Sequence, residues 1–336
     1  MKLTFSQIQS ITTGAVEIQQ QSDGVRFYRF TQQQQEMLCE RSNDFYRRSF
    51  GTAGIRLRFR TNSTVLKLSF SVLCAAVKSV PLPDISVDGA LLEDVRDIYH
   101  EMPAPFYGDR EPPYHVFSKS WDLAVGEKEI CIYLPWCGAF VLDELALSDG
   151  AVIIPVLPGK KALCFGDSIT HGAESSRPTK RYISRFCDYL GVAEYSKAIC
   201  GEMFWPDLVN TQEPIDPDII TVAYGTNDWS KTTPEEMREN CFAFYRNIKE
   251  KYPCAKLIAI TPIWRGDEFT KGREITLADV HQMICQAVED NPNATVIRGY
   301  DLVPHDVTYF DDLRLHPGDE GFDFYYENLV KEYEKR

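Results

Sequence analysis

The N-terminal part of the chain alternates hydrophobic and polar side chains with a period of two residues, which is typical of half-buried β-strands. The segments that show this pattern are Gly54–Arg60, Thr64–Val72, Asp84–Gly89, Glu129–Pro135 and Ala139–Leu147. Helical periodicity is nearly absent here, and the glutamine run Gln32–Gln35 is predicted to be a surface loop. Short strands separated by turn signals predict an antiparallel β-sandwich of the jelly-roll type.

From Lys160 onward, predominantly apolar runs of strand length alternate with amphipathic runs of helical period. The strand-like runs are Ala162–Phe165, Ile219–Ala223, Lys256–Thr261 and Ala294–Arg298, and the helical runs are Tyr182–Leu190, Pro234–Lys251, Thr276–Glu289 and Glu320–Glu334. Strands that are apolar throughout are covered on both faces, as in a parallel sheet between helices. We therefore predict a doubly wound, flavodoxin-like α/β domain over residues 160–336. The β-sandwich domain is predicted over residues 1–155, with Pro155–Gly159 as the linker.

Two of the predicted parallel strands lead into short polar motifs. Ala162–Phe165 runs into Gly166-Asp167-Ser168, and Ile219–Ala223 is followed by Gly225-Thr226-Asn227. Ligands of doubly wound sheets bind beyond the carboxyl ends of the strands, so both motifs are expected at the same edge. A tight turn that leaves a strand at this edge lifts a serine hydroxyl above the sheet, as a nucleophile requires.

A serine nucleophile needs a base and a site for the oxyanion, and the chain offers candidates for both. His316 is the candidate base, and Asp312 is positioned in sequence to hold its second ring nitrogen. The candidate oxyanion donors are the N–H of Ser168, the N–H of Gly201 and the side-chain amide of Asn227. Taken singly, Ser168 is explained as a helix N-cap and Asn227 as a turn residue; their order along the chain favours an enzyme.

These motifs resemble those of the SGNH hydrolases, also called GDSL esterases or GDSL lipase/acylhydrolases. The positions that match the family pattern are Ser168, Gly201, Asn227 and His316. The family usually places the acid three residues before the histidine, but Leu313 stands there in this chain. A one-residue bulge would bring Asp312 to the histidine instead. Asp311, or a backbone carbonyl in a Ser–His dyad, is the alternative.

A β-sandwich ahead of such a domain resembles the layout of the second carbohydrate esterase family, which implies removal of O-acetyl groups from sugars. We therefore expect a serine esterase that hydrolyses a short-chain acyl ester on a small molecule or oligosaccharide. Two alternatives remain open at this point. One is an acyltransferase on the same residues, and the other is a catalytically impaired carbohydrate-binding protein.

Three further residues near the motifs are predicted to contact the substrate. Trp229 and Trp264 follow motif loops or strand ends, where an aromatic face stacks on a sugar ring, although core packing explains each equally well. His171 follows the nucleophile by three residues and is predicted to line the pocket rather than to act as the base. Arg265, beside Trp264, is predicted to be a solvated loop residue.

The composition and the motifs argue against several classes of binding partner and cofactor. The formal net charge of −13 disfavours binding to nucleic acid or to an anionic membrane surface, and the N-terminus lacks the apolar core of a signal peptide. The 10 cysteines form no Cys-x-x-Cys pair, so we expect reduced thiols and a cytoplasmic protein. No phosphate-binding loop, dinucleotide fingerprint or metal-ligand spacing is present, so no cofactor and no metal are predicted.

Overall fold

The computed structural model of the protein describes residues 1–74, 82–92, 116–270 and 272–336. The chain divides into two compact units. The first comprises Met1–Gly159 together with Arg177–Thr179, and the second comprises Lys160–Ser176 and Lys180–Arg336.

In the residues that the structure describes, the first unit contains two antiparallel sheets. Its strands are β1 (Thr12–Thr13), β2 (Glu17–Gln21), β3 (Gly24–Tyr28), β4 (Arg56–Thr61), β5 (Val65–Cys74), β6 (Asp84–Val87), β7 (Ala90–Leu91), β8 (Val116–Asp122), β9 (Lys128–Tyr133), β10 (Gly138–Leu147) and β11 (Ile154–Pro155). One sheet has the order β1-β4-β9-β6-β7, with β11 also pairing β4, and the other has the order β2-β3-β10-β5-β8.

Both sheets of the first unit supply side chains to one hydrophobic core. Phe59 of β4 and Ile132 of β9 come from one sheet, and Phe70 of β5 and Phe140 of β10 come from the other. The Phe70 and Phe140 rings stack with their centroids 5.0 Å apart. Inward-facing side chains that alternate along each strand produce the two-residue period of the sequence. The predicted antiparallel β-sandwich is confirmed.

The predicted surface loop at Gln32–Gln35 is wrong, because these residues begin a helix. The helices of this unit are α1 (Phe5–Ile11), α2 (Gln32–Arg41) and α3 (Asn43–Ser49). Thr31 caps α2 by accepting a hydrogen bond from the Gln34 N–H, and the Gln34 side chain accepts one from the Thr31 N–H. This reciprocal capping box satisfies two N–H groups at the helix start, and glutamine itself favours the helix.

The second unit is a parallel sheet with helices between its strands. The strands are β12 (Lys160–Gly166), β13 (Val192–Ser196), β14 (Ile219–Ala223), β15 (Lys256–Ile260) and β16 (Ala294–Ile297). The helices are α4 (Ser168–His171), α5 (Tyr182–Leu190), α6 (Pro206–Asn210), α7 (Thr226–Lys231), α8 (Pro234–Lys251), α9 (Leu277–Val288) and α10 (Asp319–Glu334).

The strand order of this sheet is β13-β12-β14-β15-β16, and all four pairings are parallel. Counted from the first strand of the unit, this is the flavodoxin-like order 2-1-3-4-5, so the predicted doubly wound fold is confirmed. The order reverses between β12 and β14, and ligands of such sheets bind in the crevice at that point. The loops that follow β12, β13 and β14 therefore leave the sheet side by side.

Candidate active site

Ser168 lies in the tight turn between β12 and α4. Gly166 ends the strand, and a Cβ at that position would stand 2.3 Å from Thr170 Oγ1, so only glycine allows the chain to fold back this closely. Asp167 caps α4 by accepting a hydrogen bond from the Ile169 N–H over 2.9 Å. Strand, glycine and cap together present the serine hydroxyl beyond the sheet edge.

His316 stands within hydrogen-bond distance of this serine. Its Nε2 lies 2.8 Å from Ser168 Oγ, although 148 positions separate the two residues in the sequence. His316 belongs to the loop that enters α10, and Pro317 after it forms an isolated bridge with Phe310 that closes the loop. The structure thus brings the predicted nucleophile and the predicted base together.

Asp312 reaches the other ring nitrogen of the histidine. Its Oδ2 lies 2.8 Å from His316 Nδ1, and its Oδ1 accepts hydrogen bonds from the N–H groups of Arg314, Leu315 and His316 over 2.7–3.0 Å. Leu313 adopts a φ of +53°, in the left-handed region, and this extra residue lets the chain wrap around the carboxylate. The loop accommodates an acid four positions before the histidine.

The charge state of Asp312 suits this arrangement. Burial raises the pKa of Asp312, but the hydrogen bonds that its carboxylate accepts from His316 and Leu315 outweigh burial and hold that pKa below its usual range. Asp311 does not reach the ring in this way, because its side chain lies against Gly318 and its N–H donates to the His316 carbonyl over 3.0 Å. An ionised carboxylate behind the ring keeps the Nδ1 proton in place and leaves Nε2 free to accept the serine proton.

Gly201 lies in a turn that follows β13. The Glu202 N–H donates to the Ile199 carbonyl over 3.1 Å, and Gly201, third in the turn, has a φ of +90°. Among the residues that the structure describes, none accepts a hydrogen bond from the Gly201 N–H. The Ile199 N–H donates to the Gly166 carbonyl over 3.1 Å, which fixes this turn beside the nucleophile turn.

Asn227 is the second residue of α7, directly past the end of β14. Its Nδ2 donates one hydrogen bond to the Glu202 carbonyl over 3.0 Å, and the amide has a second N–H to offer. The same bond ties α7 to the Gly201 turn. Ser168, Gly201 and Asn227 therefore stand at the ends of three neighbouring strands, linked by backbone contacts, as an oxyanion site requires.

Two buried carboxyl groups lie next to these motif residues. Burial raises the pKa of Asp167 to about 6 and that of Asp228 to about 7, and the backbone hydrogen bonds that each accepts offset burial only in part. Asp228 Oδ1 accepts a hydrogen bond from the Phe204 N–H over 3.0 Å. This bond attaches α7 to the segment that follows the Gly201 turn. These two buried acids stabilise the segments that carry the candidate site residues, and the sequence patterns gave no sign of this role.

Trp229 and Arg265 are both buried, in contrast to their predicted positions. Trp229 is 1% exposed and its Nε1 donates to the Ile275 carbonyl over 2.7 Å, so it has no face on which a sugar can stack. Arg265 is not a solvated loop residue: its guanidinium lies over the Trp229 ring at 4.9 Å and donates to the Thr226 carbonyl. It also pairs with both carboxylate oxygens of Asp267. No sequence signal distinguished this buried arginine from a surface one.

His171 and Trp264 occupy different environments from each other. His171 is fully buried, and its Nδ1 lies 3.3 Å from both the Cys200 N–H nitrogen and the Cys200 sulfur, so it contacts the turn that contains Gly201 and does not line a pocket. Trp264 is half-buried and stacks on His305 at 5.5 Å between ring centroids. Contact between Trp264 and a substrate stays a prediction.

Within the described ranges, no cluster of three or more histidine, cysteine, aspartate or glutamate side chains is arranged to hold a metal ion. Likewise, none of the helices in those ranges is both long and apolar enough to cross a membrane.

The parallel sheet and the Ser168–His316–Asp312 arrangement at its edge define an α/β unit of the serine-hydrolase kind. A sequence model of the GDSL-like lipase/acylhydrolase family matches residues 164–324, which is most of this unit. The resemblance that the sequence motifs indicate is therefore confirmed for the second unit. A comparison with curated protein sequences finds no match.

Solved structures with the same fold extend over most of the chain. A salicylyl-acyltransferase from a tetracycline biosynthetic pathway is 19% identical, with a TM-score of 0.77, and the match covers 96% of this chain and 94% of that one. A GDSL-like lipase, described as putative, from Bacteroides ovatus is 21% identical, with a TM-score of 0.73 and coverage of 98% and 96%. A family two carbohydrate esterase from Cellvibrio japonicus is 17% identical, with a TM-score of 0.59 and coverage of 88% and 92%. At sequence identities this low, these likenesses establish a common fold and do not establish a common activity.

Proposed function

We propose that this protein is a serine esterase that removes a short acyl group, an O-acetyl group on a carbohydrate, through an acyl-enzyme intermediate. The observation that carries the proposal is the continuous hydrogen-bonded path from Ser168 Oγ through His316 to Asp312, with both steps 2.8 Å long. The match of residues 164–324 to the GDSL-like lipase/acylhydrolase family model supports ester chemistry at this site. The fold likeness to a carbohydrate esterase supports the choice of an acetylated sugar as substrate.

The first half of the reaction transfers the acyl group to the protein. Ser168 Oγ attacks the ester carbonyl carbon while His316 Nε2 takes the hydroxyl proton, and Asp312 stabilises the imidazolium that forms. The negative charge on the former carbonyl oxygen is stabilised by the N–H groups of Ser168 and Gly201 and by the Asn227 amide. The tetrahedral intermediate then collapses, and His316 returns the proton to the leaving alcohol.

The second half releases the acid. Water attacks the acyl-Ser168 ester, His316 accepts a proton from that water, and a second tetrahedral intermediate forms in the same oxyanion site. Its collapse breaks the bond to Ser168 Oγ, which recovers its proton from His316. The products are a carboxylic acid and the free alcohol of the sugar, and the protein returns to its starting state.

The direct test replaces the nucleophile. Ser168→Ala should lower the hydrolysis of an aryl acetate by at least about 10³-fold while the cooperative unfolding transition is retained. Ser10→Ala, at an exposed serine of α1, is the matched control and should leave the rate unchanged. Full activity in Ser168→Ala would overturn the proposal. Acetate release from a panel of acetylated mono- and oligosaccharides then tests the substrate class.

An acyltransferase on the same residues is the second candidate, favoured by the fold likeness to the salicylyl-acyltransferase at a TM-score of 0.77. In that reaction an acceptor alcohol replaces water in the second half. Product analysis in the presence of increasing acceptor alcohol separates the two, because a transferase forms a new ester at the expense of free acid. An esterase continues to release acid at the same rate.

The third alternative, a carbohydrate-binding protein with an impaired catalytic unit, depended on the displaced acid before His316. The 2.8 Å contact between Asp312 Oδ2 and His316 Nδ1 removes that argument, because the acid reaches the ring despite the displacement. We therefore give an active catalytic unit priority over a binding role.

A further inference from the structure

The orientation of one peptide unit decides whether Gly201 serves as an oxyanion donor. Ile199, Cys200, Gly201 and Glu202 form a hydrogen-bonded turn, and the φ of +90° at Gly201 is that of the third residue of a type II turn. Types I and II differ by a rotation of roughly 180° of the central peptide, here the one joining Cys200 to Gly201. Glycine tolerates both arrangements, so the sequence of the turn alone does not hold the Gly201 N–H in one direction.

The peptide units on either side of this central one are anchored by contacts outside the turn. On the N-terminal side, the Cys200 N–H points to His171 Nδ1, with the two nitrogens 3.3 Å apart. On the C-terminal side, Lys231 Nζ donates to the Gly201 carbonyl over 3.4 Å. Lys231 is exposed at this contact, whereas His171 is fully buried, so the histidine is the more rigid of the two anchors.

His171 is itself held firmly. It is the last residue of α4, whose first residue is the nucleophile Ser168, and its carbonyl accepts a hydrogen bond from Arg181 Nε over 2.9 Å. For Nδ1 to accept the backbone N–H of Cys200, the ring proton must be on Nε2. The imidazole thus links the helix of the nucleophile to the turn of the oxyanion donor.

We infer that His171 is a positioning residue for the oxyanion site: by accepting the Cys200 N–H at Nδ1, it keeps the Ile199–Glu202 turn in the form in which the Gly201 N–H faces the reacting carbonyl. This inference rests on the proposed esterase function. It assigns the effect to the backbone N–H of Cys200. The thiol, which lies 3.3 Å from the same nitrogen, is dispensable.

A pair of variants of nearly equal shape tests the role of the acceptor. Asparagine and leucine branch at the same atom, but only asparagine carries an oxygen close to the position of histidine Nδ1. We expect His171→Leu to lower kcat on an aryl acetate by about 10- to 100-fold with KM changed by no more than about threefold. His171→Asn should recover most of the loss, and Cys200→Ala should stay within about threefold of the wild type.

Two controls separate positioning from a general loss of structure. His281→Leu alters a second histidine that contacts a cysteine sulfur, Cys285 on α9, at 3.6 Å, and it should leave kcat unchanged. Hydrogen exchange of the Cys200 amide reports the proposed bond without any turnover: it should be faster in His171→Leu than in the wild type and in His171→Asn.

Equal kcat and equal Cys200 exchange in His171→Leu and the wild type would overturn the inference, as would a loss in His171→Asn as large as that in His171→Leu. If Cys200→Ala lost as much activity as His171→Leu, the thiol would be the functional group and the inference would be wrong. Absence of wild-type hydrolysis would count against the esterase function, while the exchange result would still decide whether His171 holds the turn.

Discussion

The two halves of the candidate site are built in opposite ways. The base and its acid come from one short loop, in which Asp312 binds three successive backbone N–H groups and the ring of His316. The oxyanion side is assembled from the ends of three strands, at Ser168, Gly201 and Asn227, and depends on contacts between segments distant in sequence. The first half is locally self-sufficient, whereas the second is a product of the whole sheet.

This difference explains why one half tolerates a departure from the family pattern. A local loop adapts to an extra residue by placing Leu313 at a φ of +53°, and the hydrogen bonds to Asp312 close around it. An extra residue in the Gly201 turn would displace the contacts with both Gly166 and Asn227 at once. We therefore expect the acid half to be sensitive to charge and the oxyanion half to geometry.

The largest expected effect comes from neutralising the acid. Asp312→Asn retains an oxygen for the three backbone N–H groups but presents an amide N–H to His316 Nδ1, which favours the wrong tautomer of the ring. We expect kcat on an aryl acetate to fall by roughly 10³- to 10⁴-fold with little change in the denaturation midpoint. Steady-state kinetics and urea unfolding of the same preparation check both parts.

Asp311→Asn is the matched control, since Asp311 has the same charge one position earlier but lies against Gly318. Its kcat should stay within about threefold of the wild type. A loss shared equally by the two variants would mean that the half-site depends on the net charge of the loop, and a loss confined to Asp311→Asn would make Asp311 the partner of His316.

Asn227→Ala tests the other half and should have the next largest effect. Removing one oxyanion donor costs about 10²- to 10³-fold in kcat, and here the Glu202 carbonyl also loses its partner. KM should change little, because the donor acts on the charge that develops in the transition state. Asn247→Ala, at an α8 residue that donates to the Pro206 carbonyl, is the control for the loss of an amide-to-carbonyl bond. Equal kcat in Asn227→Ala and the wild type would refute the assigned role.

The sequence motifs identify the candidate site residues, but they do not predict the burial and contacts of the residues around them. Ser168, Asn227 and His316 carry recognisable neighbours, and the strands that lead to the first two, β12 and β14, are predicted to within two residues at each end. The strand that leads to Gly201, β13, is not predicted from the sequence. The burial of Trp229 and Arg265 was not predictable, because their contacts with each other and with Ile275 and Asp267 are tertiary. The left-handed φ of Leu313 was equally inaccessible, since leucine rarely adopts it and only the closed loop compels it.

The free energy of unfolding should depend on pH because of the buried Asp228, which lies next to the candidate oxyanion donor Asn227. Burial raises the pKa of Asp228 to about 7 from its ordinary 3.8, so the folded protein keeps this proton where the unfolded chain has lost it. The contribution of Asp228 to the free energy of unfolding therefore falls as pH rises from about 4 to about 7 and levels off above. Asp228→Asn removes this fall and should gain on the order of 4 kcal/mol over the wild type between pH 4 and pH 8, because each unit of pKa shift corresponds to about 1.4 kcal/mol.

Urea unfolding at the two pH values measures that difference directly. Asp207→Asn, at an exposed aspartate in the first turn of α6, is the control and should show no such pH-dependent gain. A difference between wild type and Asp228→Asn that is the same at pH 4 and pH 8 would show that folding does not raise the pKa of Asp228.

The smallest expected effect concerns Leu313, the left-handed residue of the loop that carries Asp312 and His316. Leucine in the left-handed region costs about 1–2 kcal/mol, and Leu313 is 66% exposed, so Leu313→Gly relieves strain with little loss of buried surface. Since glycine also gains about 0.5–1 kcal/mol of unfolded-state entropy, the net stabilisation should be about 0.5–1 kcal/mol. Leu157→Gly, at an exposed leucine outside the left-handed region, should destabilise the protein instead.

The value of kcat should be unchanged in Leu313→Gly, because Asp312 is held by backbone N–H groups and not by the leucine side chain. A clear fall in kcat with unchanged stability would mean that the leucine side chain contacts the substrate, and the acid half would then depend on more than its own loop.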